Sequence, residues 1–92
     1  MGNNDFEKLA ISTVRDYANE HIDKTDGVQI SDEDVFIVWS CKTLQNNKAL
    51  VSTRLHDGMY YELTYNGDKN ELYLDAYKKF ENRCIKLPSR EA

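Results

Sequence analysis

The chain has 92 residues, 40% of them hydrophobic and 30% charged, a mix that fits one small globular domain and excludes a disordered chain. Its net charge of −4 argues against a basic nucleic-acid-binding surface. Two cysteines, Cys41 and Cys84, are too few for a disulfide-stabilised secreted domain and have no metal-type spacing.

The charge is uneven. Residues 1–46 carry nine acids and four bases, and residues 47–92 carry seven acids and eight bases. The N-terminal "MGNNDFEKLA" lacks the basic region and apolar run of a signal peptide. No apolar run approaches the ~20 residues of a membrane span. The expectation is a soluble, intracellular, reduced protein without a membrane partner.

In chain order, residues 4–23 read as an amphipathic helix. Asn4 or Asp5 is the expected N-cap. Phe6, Leu9, Ala10, Thr13, Val14, Tyr17, Ala18 and His21 share one side at helical spacing, with His21 a structural residue at the edge of the stripe. "DKTDG" (23–27) stops the helix, and Gly27 supplies the freedom for a chain reversal. "VQISDED" (28–34) is a polar connection. Its acids, Asp32, Glu33 and Asp34, lack the spacing of a calcium loop.

The period then changes from 3.6 to 2. "VFIVWSCKTL" (35–44) is β-branched and aromatic, hence a strand. "QNNK" (45–48) has turn chemistry, "ALVSTRL" (49–55) is a second strand, and "HDG" (56–58) closes a tight loop. "MYYELTY" (59–65) is a third strand, and the Asn-Gly of "NGDK" (66–69) is a strong hairpin signal.

The fourth element has two readings. As a strand over about 70–79, it pairs Leu63 with Leu72, Tyr61 with Leu74 and Met59 with Ala76, keeping apolar residues on one face. As a helix over 71–82, it aligns Leu72, Ala76, Tyr77 and Phe80. The strand is preferred. Residues 81–87 extend or follow it, and 87–92 form a tail.

Together these give an α+β fold: one N-terminal helix on a four-stranded antiparallel meander, in two layers. The expected pairing sets Val38 opposite Leu55, Leu55 opposite Met59 and Val51 opposite Leu63. Phe36, Val38, Val51, Leu55, Met59, Tyr61, Leu63, Leu72, Leu74 and Ala76 then face the helix. The other face holds Ile37, Trp39, Cys41, Leu50, Ser52, Arg54, Tyr60, Glu62, Thr64, Tyr73, Asp75 and Tyr77. One helix covers only one face of a sheet. Trp39, Arg54, Tyr60, Glu62, Tyr73, Asp75 and Tyr77 are therefore the candidate interaction residues, since Trp, Tyr and Arg dominate protein interfaces.

Little in the chain points to catalysis. His56-Asp57 is a possible base and its orienting carboxylate, but no nucleophile is fixed beside it, and Asp57 and Gly58 suit a turn. Cys41 and Cys84 have no local activating pattern. "NGDKN" is not a phosphate loop. Lys78, Lys79, Arg83, Lys86 and Arg90, interleaved with Tyr77 and Phe80, are read as a solvated edge whose lysines discourage aggregation. No catalytic residue, cofactor or metal site is assigned.

"KTLQNNKAL" followed by "DGMYYELTYNGDKNELYLDAYKKFEN" is similar to a family of small phage and prophage proteins of Gram-positive bacteria, a domain of unknown function. The resemblance spans Phe6 to Ile85 and is sharpest from Lys42 to Asn82. The family pattern often has a tryptophan where this chain has Asn47. The resemblance supplies no activity. It implies a bacterial cytoplasm under infection or lysogeny, and a protein of a size that commonly binds host proteins. The leading expectation is a non-enzymatic phage accessory protein that uses its aromatic face to self-associate or to bind a host or phage protein. The alternative is a small-ligand or enzymatic domain with a pocket between helix and sheet, lined by Tyr60, Glu62, Asp75 or His56. Nucleic-acid binding is third.

Overall fold

A computed structural model describes residues 1–22 and 29–89. The helix α1 spans Asn3–His21, followed by a 3-10 turn at Asp32–Asp34. The strands are β1 (Val35–Thr43), β2 (Asn46–Thr53), β3 (Met59–Asn66) and β4 (Glu71–Lys78). They form one open antiparallel sheet in the order β1-β2-β3-β4. This is the expected α+β meander, and residues 71–78 are strand rather than helix.

The helix starts earlier than its sequence suggests. Gly2, in an extended conformation, occupies the N-cap position, and its carbonyl accepts the Phe6 N–H at 3.0 Å. Asn4 and Asp5 thus lie inside the first turn and do not cap it. Ile22 ends the helix, with its N–H on the Ala18 carbonyl at 3.0 Å. The proposed stop at 23–27, including Gly27, lies outside the described residues.

Phe6, Ala10, Val14 and Ala18 are the buried stripe of α1. They meet Val35, Ala49, Val51, Tyr61, Leu63 and Tyr65 in one core cluster. The alanines on both sides let the helix lie close to the sheet, and Phe6 and Leu63 fill the space that remains. Two polar ties orient the layer. The Asn19 side-chain amide donates to the Ile30 carbonyl (3.0 Å) and accepts the Ile30 N–H (2.8 Å). Arg15 reaches Asp32 at 2.7 Å. The acidic connection is organised by its own capping box, Ser31 with Asp34.

The registers differ from expectation in an orderly way. In β3–β4, Leu63 pairs with Leu74 and Tyr61 with Ala76. In β2–β3, Val51 pairs with Tyr61 and Ala49 with Leu63. Both pairings have slipped by two residues, so each side chain keeps its face. The two causes differ. The β2–β3 connection is 54–58, two residues longer than the expected 56–58, whereas the β3–β4 loop keeps four residues but sits one position later, at 67–70, because Asn66 joins β3. In the second loop the Asn66 side chain accepts the N–H groups of Asp68 and Lys69. Asn70 takes the left-handed conformation, φ 52°. A side chain on Gly67 would run into the Gln45 carbonyl, so glycine lets the two hairpin turns pack together.

The first hairpin departs more. Its turn is Leu44–Gln45, not 45–48, and Leu44 takes a positive φ of 55°, uncommon for leucine. Asn46 and Asn47 join β2. Pairing runs Val35↔Thr53 to Ile37↔Val51, then resumes at Trp39↔Leu50, with an irregularity between. Val38 is the extra residue of a β-bulge. Val35 and Ile37 therefore belong to the helix side, while Phe36 and Val38, assigned above to the core, are each 46% exposed. Val38 does not pair with Leu55, which lies past the end of β2. Ala76 is also exposed, because α1 packs mainly over β1 and β2 and β4 reaches the core only through the half-buried Leu72 and Leu74.

Asn47 is the anomaly of the core. It is 1% exposed, and neither side-chain amide atom has a protein hydrogen-bond partner. Burying such a group costs roughly 1–3 kcal/mol. Leucine has the same branching without the polarity. Asn47→Leu is expected to stabilise the fold by about 1 kcal/mol, raising Tm by roughly 4–8 °C in a domain of this size. A thermal melt followed by circular dichroism checks this; an unchanged or lower Tm would show that Asn47 is satisfied or tightly packed.

Candidate interaction face

The face away from α1 is built from three cross-strand rows. One runs Phe36, Ser52, Tyr60, Tyr77. The next runs Trp39, Leu50, Glu62, Asp75. The third runs Cys41, Lys48, Thr64, Tyr73. Six of the seven candidate residues thus stand on one surface. Arg54 lies one residue past β2, in the 54–58 connection, where its N–H extends the ladder to the Asp34 carbonyl at 2.9 Å.

The face is apolar and open. Trp39 is 44% exposed, Tyr73 50% and Tyr77 52%. Phe36 and Val38 join them, and sequence reasoning missed both. The run "VFIVW" is apolar at every position, so its alternation carries no sign of which residues turn outward. Tyr61 and Tyr65 instead serve the core, the latter donating from its hydroxyl to Asn70 at 2.9 Å.

The electrostatics are unbalanced. Glu62 and Asp75 stand directly opposite each other on neighbouring strands, an arrangement in which like charges repel. Lys48 relieves one side, reaching Glu62 at 3.3 Å. Glu71 adds a third carboxylate at the margin and accepts the Tyr73 hydroxyl. That bond, together with the charge of Glu71, pushes the Tyr73 phenol above its ordinary value. The face therefore presents aromatic rings around a partly compensated acidic centre.

The helix side offers little by comparison. A cleft of about 200 Å³ lies between the end of α1 and the start of β3, lined by Tyr17, His21, Asp57, Met59 and Tyr61. A second groove, of about 360 Å³, lies between α1 and β4, lined by Thr13, Asp16, Tyr17, Glu20 and Leu74; the first falls below, and the second near the bottom of, the roughly 300–1,000 Å³ of most small-molecule sites. Tyr60, Glu62 and Asp75, candidates for such a pocket, are on the opposite face. His21 stacks on Tyr17 at 4.1 Å between ring centroids and sits 2.8 Å from the Tyr17 carbonyl. Asp57 accepts the Met59 N–H at 3.1 Å and so acts as a turn residue. Among the described residues no three or more His, Cys, Asp or Glu side chains are grouped so that they could hold a metal ion. Nor, among the described residues, is any helix long and apolar enough to cross a membrane.

The model of a family of unknown function, DUF6275, matches residues 7–87. The chain belongs to this family. Searches of curated proteins and of solved structures found no match. The DUF6275 match takes in α1 from Glu7 onward, all four strands and most of the segment beyond β4.

Two outcomes follow from this geometry. Asp75→Asn removes the repulsion with Glu62 and is expected to stabilise the fold by about 0.2–1 kcal/mol. The gain should shrink in high salt, where exposed charges are screened; paired melts at low and high salt read it. On the other side, burial, then Asp57 and Tyr17, raise the Tyr61 phenol above 10. A raised phenol favours the folded state while protonated, so its contribution is full below about pH 10 and is lost as pH climbs through the folded value. Tyr61→Phe should flatten that alkaline decline in a pH series of denaturant melts.

Proposed function

We propose that this protein is a non-enzymatic interaction protein whose outer sheet face binds another protein chain, either a second copy or a host or phage protein. The observation that carries the reading is the exposed aromatic face of Trp39, Tyr73 and Tyr77, on a sheet whose single helix packs on the opposite side. Monomeric proteins rarely leave large contiguous apolar patches open to water, and hot spots are enriched in the same residue types. The resemblance of "DGMYYELTYNGDKNELYLDAYKKFEN" to phage and prophage proteins supports a setting in the cytoplasm of an infected or lysogenic Gram-positive bacterium. The acidic pair Glu62/Asp75 on this face disfavours a nucleic-acid backbone as its partner.

The test is the double variant Trp39→Ala/Tyr73→Ala. Both side chains are about half exposed, so the melting temperature should move by no more than a few degrees. Binding to the partner recovered with the wild-type chain should weaken at least tenfold in a titration. Equal binding by the folded double variant would overturn the reading.

A further inference from the structure

We propose that the occupant of the outer face is a second copy of this chain, contributing its segment 79–89 in a reciprocal two-fold exchange. The inference rests on reading that face as an interaction surface.

The segment has its own unmet apolar groups. Phe80 is 99% exposed, Ile85 71% and Leu87 77%. These exposures exceed those of the face residues, in a stretch with no regular structure of its own. It leaves the sheet in the direction of β4: the Lys79 N–H donates to the Gly58 carbonyl at 2.7 Å, continuing the strand beyond its last rung. No glycine follows in the sequence to reverse the chain onto its own sheet, and the lone proline comes only at position 88. The DUF6275 match continues to residue 87, past the end of β4, so this segment is part of the shared unit.

The chemistry of segment and face is complementary. Lys79, Arg83 and Lys86 outnumber Glu81 in the segment, whereas the face carries Glu62 beside Asp75 with Glu71 nearby. A cation from the segment would relieve the Glu62/Asp75 repulsion and lie against electron-rich ring faces, a favourable cation–π arrangement. Phe80, Ile85 and Leu87 would cover Trp39, Tyr73 and Tyr77. Counted in both copies of an isologous pair, these groups offer on the order of 2,000 Å² at most, enough for a stable interface.

The experiment is light scattering of the full chain across a dilution series, with the emission of the single tryptophan, Trp39, recorded in parallel. The expected result is a concentration-dependent dimer. Phe80→Asp/Leu87→Asp, at positions too exposed to support the fold, should weaken self-association at least tenfold and shift Trp39 emission to the red. Raising the salt should weaken it further in the wild type. A dimer unaffected by the segment variant would overturn the exchange. A monomer whose Trp39 emission still responds to that variant would show the segment covering its own sheet, and would overturn the second copy as occupant. A monomer with unresponsive Trp39 would also overturn the inference, yet would leave the face free for a different protein. Failure of the face itself is read separately, from a Trp39→Ala/Tyr73→Ala variant that binds as well as wild type.

Discussion

One helix has to serve a sheet with two faces. The stripe of Phe6, Ala10, Val14 and Ala18 settles against Ala49, Val51, Tyr61 and Leu63, and this contact organises the core. Its small side chains bring the helix near the sheet and localise it over β1, β2 and β3. Consequently β4 is only partly covered, through Leu72 and Leu74, and the opposite face has no helix on it. The surface chemistry follows from that shortage of cover: where helix and sheet meet, apolar residues vanish from solvent, and elsewhere they stay half exposed.

The parts of this arrangement legible in the sequence are those set by side-chain period. Helical spacing located α1 to within two residues at each end. Alternation in β2, β3 and β4 assigned the faces, and a slip of two residues in each pairing left those assignments intact. Loop position was the part that alternation does not encode. "HDG" and "NGDK" have the composition of tight turns, but the first connection also recruits Arg54 and Leu55, and the second gives Asn66 to β3 and takes Asn70 in its place. Leu44 at positive φ and Asn47 without a protein partner run against local preference. Neither follows from residue type, because tertiary packing overrides propensity there.

The outer face was legible through Tyr60, Tyr73 and Tyr77, which alternate as expected; Trp39 stands there too, but through the bulge, since Ile37, expected beside it, faces the helix. Its electrostatics were only half legible. Glu62 and Asp75 were assigned to the face, but their direct opposition appeared only with the true register. The distinction matters physically. Aromatic rings alone describe a surface tolerant of many partners, whereas adjacent carboxylates among rings favour a cationic and apolar one. Segment 79–89 has that composition, so one chain carries both halves of a complementary pair.

The β-bulge at Val38 ties core and surface together. Val35 and Ile37 face the helix and close the core at the start of β1. Had the strand continued in regular alternation, Trp39 would point the same way. Further along β1, Ser40 already occupies the helix side, donating to Glu7 at 3.0 Å, and Lys42 reaches the Met1 carbonyl at 3.0 Å. An indole and these polar contacts compete for the space beneath the first turns of α1. The extra residue reverses the alternation in a single step, a known way for bulges to re-aim a side chain. It exposes Val38, preserves Ser40 and Lys42 as ties to the helix, and turns Trp39 out onto the face with Tyr60, Tyr73 and Tyr77. The irregularity that sequence alternation missed is thus what lets one strand complete the core and still turn the chain's single tryptophan out to solvent.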